Sequence, residues 1–273
     1  MPERYFKLTI AHDGTRYVGW QWQPGERTIQ GEMEKILKRV TNQEINIQSS
    51  GRTDSGVHAL AQIVSFHLET DWKADTFRRA MNAYLPLDIV VKKAEEAPWG
   101  FHATDDTLKK RYRYVVQDGR IGDPFALRYA MFAKKNLDLK AMQEASKVMV
   151  GTHDFKCFEA VGSPRTSTVR TIYDVSVYRN ENLEDTKIHI EVEADGFLYN
   201  MVRIIAGTLV EVGRHNRPPE WISELIAGKD RIKAGMTAPA GGLYLQHVSY
   251  RDVPLAAEKA GLVETSSDTS NPV

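Results

Sequence analysis

The chain has a single cysteine, no excess of either charge and no long uncharged apolar run, and each shortage excludes a class of protein. With Cys157 alone among 273 residues, no disulfide can form within the chain, which is typical of the reducing cytosol. Because Phe155 and Phe158 flank it closely, Cys157 reads as a small buried hydrophobe. Arg4 and Lys7 interrupt the only early apolar stretch, and no apolar run reaches membrane-spanning length. We therefore expect a soluble, cytoplasmic protein without a membrane partner.

The charges balance at 36 Lys and Arg against 36 Asp and Glu, while 42% of the residues are apolar and can form a core. A neutral total does not exclude a nucleic-acid partner, because binding depends on where positive charge clusters. No Cys/His cluster has zinc-binding spacing, and neither a Walker loop nor a dinucleotide fingerprint occurs. The eight histidines are scattered, so we expect no metal site.

Hydrophobic periodicity indicates one plan used twice. The first half predicts a strand at Phe6–Ile10, a helix at Ile29–Val40, strands near 44–50 and 60–68, a helix at Phe77–Leu85 capped by Asp75, and a strand at Ile89–Val91. The second half predicts a strand near 110–117, a helix near 138–149, strands near 168–179 and 187–195, a helix near 200–213, and a strand near 242–250. Each half has the order β-α-β-β-α-β, which predicts an α+β fold with antiparallel sheets and a cleft between halves. We place the halves at 1–105 and 106–250, before a tail at 251–273.

The most informative stretch is Gly51–Ala59, GRTDSGVHA, in which one carboxylate lies in a short loop between two glycines. Glycine lets a ligand approach the backbone closely and adopts angles closed to other residues. The loop therefore suits a nucleophile, Asp54, presented to a bulky substrate. The alternative is a tight turn in which Asp54 bonds its own backbone, and the loop taken alone favours that turn.

The helix that begins near Asn200 gives a second indication. From Met201 to Val212 only Arg203 and Glu211 are charged, and such an all-round apolar helix belongs in the interior. A buried guanidinium needs a carboxylate partner, for which Asp54 is a candidate, and the cation would keep Asp54 ionised. The alternative is that Arg203 reaches solvent along its own stem.

A third indication is the basic and aromatic run Lys109–Tyr114, KKRYRY. In a strand, Arg111 and Arg113 would share one face, and Tyr112 and Tyr114 the other. Basic groups beside aromatic rings suit stacking on a base next to phosphates, although a solvated basic face over core tyrosines fits as well. Further local positive charge, which suits phosphates or a hydrated surface, lies at Arg78, Arg79, Lys134, Lys135, Arg165, Arg170, Arg214 and Arg217.

Two more segments, Gly151–Phe155 and Thr237–Leu245, have the composition of loops. His153 and Asp154 could suggest a catalytic pair, but adjacent residues rarely face each other. A structural turn is the prediction here.

Five stretches together make the chain resemble the TruA family of tRNA pseudouridine synthases over nearly its whole length. They occur in the family's order and are Gly51–Ala59, Lys110–Tyr114, Gly151–Phe158, Asp195–Gly213 and Thr237–Leu245. One departure is Thr104, which follows Phe101-His102-Ala103 where the family usually has arginine. This difference predicts a weaker phosphate contact or a narrower substrate range.

The resemblance implies two ferredoxin-like halves around a central cleft, the pseudouridine synthase fold. It implies isomerisation of uridine to pseudouridine at positions 38 to 40 in the anticodon arm of tRNA, without metal or organic cofactor. It also implies a homodimer in which one tRNA contacts both subunits.

By match to the family's motifs, Asp54 is the catalytic aspartate, Arg203 its ion-pair partner and Tyr112 the ring that stacks on the target base. Arg52 would displace that base or fill its space. We further assign to substrate binding Leu245, Arg78, Arg79, Lys110 and Arg111. Whether Asp54 adds to C6, attacks C1′ or promotes a glycal is left open, and Tyr112 could also remove the C5 proton.

Two alternatives from other classes stand beside this reading. Asp54-Ser55-Gly56 matches the D-[ST]-G triplet of aspartic proteases, but those enzymes need two facing carboxylates and the chain has one such triplet. A ferredoxin-like protein that binds tRNA without altering it is the other alternative, although such a module rarely needs an apolar helix with one arginine.

Overall fold

A computed structural model describes residues 1–162, 166–179 and 187–251. The strands are β1 (Glu3–His12), β2 (Gln48–Ser49), β3 (His58–Glu69), β4 (Ile89–Ala97), β5 (Thr107–Gln117), β6 (Met131–Phe132), β7 (Gly151–Asp154), β8 (Val169–Arg179), β9 (Ile188–Ala194) and β10 (Leu243–Tyr250). The α-helices are α1 (Ile29–Thr41), α2 (Ala74–Asn82), α3 (Leu139–Ser146), α4 (Met201–Gly213) and α5 (Trp221–Gly228). Arg165 and nearly all of the predicted tail lie outside the described residues.

The strand order confirms the predicted plan in each half. In the N-terminal half the order is β4-β1-β3, with β2 paired to β3, and in the C-terminal half it is β10-β5-β9-β8 with β7 at the edge. Both orders are those of a split β-α-β unit, and the strands named in each order pair antiparallel, while the short β6 pairs parallel with β5. The fold is α+β, as predicted.

The two halves share one continuous sheet, which the sequence did not predict. Strand β10 pairs parallel with the start of β3, joining Tyr244 to His58 and Leu245 to Ala59. Farther along β3, the same edge pairs with β2 through Gln48 and Ser65. One edge of β3 thus pairs with β10 of the C-terminal half and with β2 of the N-terminal half. The Asp54 loop connects β2 to β3, so this pairing holds the loop next to the C-terminal half.

Local sequence explains the helices that flank this junction. Thr28 caps α1, because its hydroxyl accepts from the backbone N–H of Gly31, and the helix ends at Asn42 in the left-handed region. In α2, however, the predicted cap is wrong. The helix begins at Ala74, so Asp75 already lies in the first turn, where it pairs with arginines of its own helix instead of capping.

Buried apolar residues form one cluster in each half. The N-terminal cluster lies under α1 and α2 and includes Ile10 and Met33. The C-terminal cluster surrounds α4, in which eleven of thirteen residues are buried, so the predicted interior helix is confirmed. Cys157 is buried there too, also as predicted. Five residues of the N-terminal half, among them Val57 and Ala59, belong to the C-terminal cluster and tie the halves together.

Two segments of the C-terminal half differ from the predictions. Gly151–Asp154 is an edge strand paired with β8 and not a turn, because its backbone finds partners on β8 from Val169 to Ile172. The helix α5 was not predicted at all. Within the described residues, no helix is long and apolar enough to cross a membrane.

Candidate active site

A cleft of about 890 Å³ opens between the two halves. One wall is the segment from Asn46 to Asp54, and the other is formed by β5 together with the loop from Asp195 to Asn200. Its lining includes four of the predicted site residues, Arg52, Asp54, Lys110 and Tyr112. The volume lies within the range of about 300–1,000 Å³ that is usual for small-ligand sites.

The loop that carries Asp54 is anchored through its backbone. Thr53 O accepts from the N–H of Trp20 at 2.9 Å, and Asp54 O accepts from the N–H of Val57 at 3.1 Å. Gly19 permits this close approach, because a Cβ there would lie 2.7 Å from Thr53 O. At Gly56 the backbone has φ +76°, so this turn requires the freedom of glycine that the sequence predicted.

The side chain of Asp54 takes no part in holding the turn. Among the described residues its carboxylate makes no hydrogen bond or ion pair, so the alternative of a self-bonded turn is wrong. Burial raises the pKa of Asp54, and the positive charge of Arg203 opposes the rise without cancelling it. A partly buried, unbonded carboxylate therefore faces the cleft, where a substrate can reach it.

Arg203 acts on Asp54 through space. It is partly buried on α4, and its guanidinium donates to Ala238 O and to Asn200 Oδ1, each at 2.7 Å. Asn200 has a left-handed backbone at the start of α4 and uses its side chain to orient Arg203, not to cap the helix. Within the described part of the chain, no direct ion pair joins Arg203 to Asp54, and the charge of Arg203 only partly offsets the rise of the Asp54 pKa that burial causes.

The ring of Tyr112 lies against the cleft from the β5 side. It is largely buried and packs edge-on against Phe197, with ring centroids 5.0 Å apart. Leu245 is fully buried beside it, since the β10–β5 register places Leu245 opposite Tyr112. Leu245 does not line the cleft, whereas Leu243 does.

Two cations border the cleft near the Asp54 loop. Arg52 is exposed on the loop itself, and the Lys110 Nζ lies 3.3 Å from where a Cβ on Gly51 would be. Thr104 also lines the cleft, but its hydroxyl donates to Ser49 O at 2.6 Å. It thereby links the segment before β5 to β2.

The other predicted substrate residues lie outside the cleft. Arg111 is on the opposite face of β5 from Tyr112, where it pairs with Asp174 at 2.8 Å and with Glu191 and Glu193 at 3.2 Å each. The predicted alternation of faces in β5 is therefore confirmed. On α2, Arg78 and Arg79 pair with Asp75 at 2.7 and 3.0 Å.

Sequence reasoning missed much of the polar lining of the cleft. The lining residues to which the sequence assigned no role in the site are mostly amides and aromatics, namely Trp20, Gln21, Gln30, Asn46, Gln48, Phe197, Tyr199 and Asn200. The last three belong to the Asp195–Gly213 stretch, so the family resemblance of that stretch could have indicated them. The others had no such signal, because isolated amides near a turn look like ordinary surface. Among the described residues, no group of three or more His, Cys, Asp or Glu is placed to hold a metal ion.

Comparison with known proteins decides the family. The model of a tRNA pseudouridine synthase family matches residues 9–104 and 145–251. The chain belongs to the tRNA pseudouridine synthase family. The tRNA pseudouridine synthase A 2 of Clostridium perfringens is 44% identical over 247 residues, covering 90% of this chain and all of that protein. The tRNA pseudouridine synthase A of Thermoanaerobacter sp. (strain X514) is 41% identical over 247 residues, with the same coverage.

Among solved structures, one from a Cbf5-Nop10-Gar1 complex aligns with a TM-score of 0.36 at 12% identity, covering 89% of this chain and 59% of that chain. This similarity is too low to support an argument. Family membership makes the chain an isomerase that converts uridine to pseudouridine in tRNA. The aspartic protease and the non-enzymatic tRNA-binding protein are therefore wrong as alternatives.

Proposed function

We propose that this enzyme isomerises uridines 38, 39 and 40 in the anticodon arm of tRNA, with Asp54 as the reacting group and no cofactor. The observation that carries the proposal is the Asp54 carboxylate at the cleft, which is partly buried and bonds to none of the described residues, while its loop is fixed by backbone contacts. A carboxylate needed only for the fold would bond to the protein. The Asp54 carboxylate is instead available to a substrate.

The cleft suits an everted nucleotide. A base inside a stem is inaccessible, so the enzyme must extrude it into a pocket. Tyr112, held edge-on by Phe197, offers a fixed ring on which the extruded uracil stacks. Arg52 is exposed on the same loop as Asp54, and in this proposal it occupies the space that the base leaves. Lys110 is the cation for a flanking phosphate.

The reaction itself needs no external reactant. The N1–C1′ bond breaks, the uracil turns, C5 bonds to C1′, the C5 proton leaves and N1 regains a proton. Asp54 assists by adding to C6, by attacking C1′ or by promoting a glycal, and all three routes need an ionised carboxylate. Arg203 favours that state by its positive charge.

The wider setting follows from the same substrate. We infer that the enzyme acts in the cytoplasm, where tRNA is found and where its one buried cysteine stays reduced. We also infer a homodimer in which one tRNA contacts both subunits.

The test measures tritium release from C5-labelled uridine in tRNA that carries a single uridine at position 38, 39 or 40. Wild type releases tritium from each of the three, and the D54N variant from none, while tRNA affinity stays within about twofold. Asp71, exposed and outside the cleft, supplies the control D71N, which keeps full activity. Release by D54N would refute the role of Asp54, and release from tRNA lacking all three uridines would refute the positions.

A further inference from the structure

A fully buried amide lies directly behind the Asp54 loop. Gln62 is on β3 with 0% of its surface exposed, and it does not line the cleft. Its Nε2 donates to Gly51 O at 2.8 Å, and its Oε1 lies 2.9 Å from His12 Nε2. Burying an amide completely is costly unless both its ends are bonded, and here both are.

The directions of these two hydrogen bonds follow from chemistry. Gly51 O can only accept, so the amide nitrogen of Gln62 must face it and the amide oxygen must face His12. His12 Nε2 therefore carries the proton and donates. Burial lowers the pKa of His12 to about 4, despite the hydrogen bond to Gln62, so the ring is neutral at physiological pH. The other charged or titratable groups that act on it are His58, Asp13 and Asp88.

The carbonyl that Gln62 holds is at the start of the Asp54 loop. Arg52 follows it by one position and Asp54 by three. Ser49 Oγ donates to the same carbonyl at 3.2 Å, so Gly51 O is held from two sides. Immediately before it, the N–H of Ser50 donates to Ile63 O at 2.8 Å. The backbone hydrogen bonds at Thr53 and Asp54 fix the later part of the loop, and the Gln62 bond fixes its N-terminal end at Gly51.

We propose that Gln62 is a positioning residue, whose hydrogen bonds to His12 and Gly51 set the direction in which the loop presents Asp54. This inference rests on the proposed role of Asp54 as the reacting group. A displacement of about 1 Å at a reacting group can cost about 100-fold in rate. Losing the bond at Gly51 O would loosen the loop at its entry without removing any group that contacts tRNA.

The test replaces Gln62 by methionine, which has a similar length and no hydrogen-bonding groups. Single-turnover tritium release at saturating enzyme is expected to fall about 10- to 100-fold, while the Kd for tRNA stays within about twofold. The matched control is Q143M. Gln143 Nε2 donates to Val177 O at the same 2.8 Å, outside the cleft, and Q143M should lose stability but keep its single-turnover rate.

A second variant, H12F, removes the donor that orients the amide but leaves the Gln62 bond to Gly51 possible. It should lower the rate less than Q62M does. If Q62M fails to unfold cooperatively, Q62N, whose amide is one methylene too short to reach Gly51 O, is judged on the same criteria. A Q62M rate within twofold of wild type overturns the inference. Equal rate losses in Q62M and Q143M would overturn it as well. So would a loss of tRNA affinity in Q62M that accounts for its whole loss of rate. A wild-type enzyme that releases no tritium would instead refute the proposed function.

Discussion

The Asp54 carboxylate is held under two opposing influences. Burial favours its neutral form, and Arg203 favours its charged form through the coulombic effect of its positive charge. The carboxylate thus stays reactive, because no donor from the described residues occupies its oxygens, yet it loses hydration that it would have in water. Such sites are costly to the fold and useful to the chemistry.

This balance predicts the pH dependence of the reaction. Removing the charge in Arg203→Met takes away the influence that lowers the pKa of Asp54, so that pKa rises further. The carboxylate is then protonated at a higher pH, and the acid limb of the single-turnover rate shifts upward. Arg203→Lys retains a positive charge and should leave the limb closer to that of wild type. An acid limb in the same place for all three proteins would contradict the electrostatic role.

The same balance predicts that D54N is more stable than wild type. A carboxyl whose pKa is raised in the folded state opposes folding at pH values above that pKa, and the effect disappears below the pKa of the unfolded chain, where both states are protonated. At pH 7 we expect a gain of about 1 kcal/mol. This corresponds to a Tm about 2–4 °C higher. Thermal melts at pH 7 and pH 3 test this, and a gain equal at both pH values would show that charge is not its cause.

At the scale of elements, the paired strands β5 and β9 show what periodicity could and could not predict. The alternation of basic and aromatic residues in β5 was readable from the sequence, and so was the strand itself. The partners were not, because the carboxylates that neutralise Arg111 and Arg113 come from β9, about eighty residues away, and, for Arg111, also from Asp174 of β8. What looked like a basic surface is a set of paired charges. The short strand β7 was missed for a similar reason, since among the described strands only β8 pairs with it.

Glu191 is the centre of this charged face, and its loss should be costly. Its side chain accepts from Arg111, Arg113 and Tyr178, and it is 6% exposed. Burial alone would raise the pKa of Glu191, but these hydrogen bonds outweigh it and lower the pKa. We expect E191Q to lose about 3 kcal/mol in urea unfolding at pH 7, because two arginines lose a buried partner.

The exposed pair of Lys38 and Glu44 provides the control, and E44Q should cost less than about 1 kcal/mol. Because the folded-state pKa of Glu191 is lowered, its contribution is present above the pKa of the unfolded chain and is lost as the pH falls through the folded-state pKa. The penalty of E191Q should therefore shrink in acid. Equal losses for E191Q and E44Q would mean that burial does not strengthen the Glu191 contacts.

At the scale of the whole molecule, the sequence predicted two halves of like architecture but not the way they join. The order of strands and helices along the chain and the interior helix α4 followed from local patterns. The parallel pairing of β10 with β3 did not, because two pairs of residues carry it and no local pattern marks them. The same holds for the cleft. Asp54, Arg52 and Tyr112 were identified from motifs, whereas the buried amide behind the loop, Gln62, looks like any polar residue in a strand.

We propose that the halves at 1–105 and 106–250 are structural units that nevertheless unfold together. The shared sheet and the residues of β3 within the C-terminal cluster bind them to each other. Ile10 and Ile190, each fully buried in a different cluster, allow a matched test. I10V and I190V should each cost about 1 kcal/mol. Calorimetry should then show one endotherm, with equal calorimetric and van't Hoff enthalpies, that moves down by about 2–4 °C in either variant. The contrary result is two endotherms, with each substitution shifting only the endotherm of the half that contains it. That result would show that the halves fold independently and that the shared edge of β3 contributes little to their cohesion.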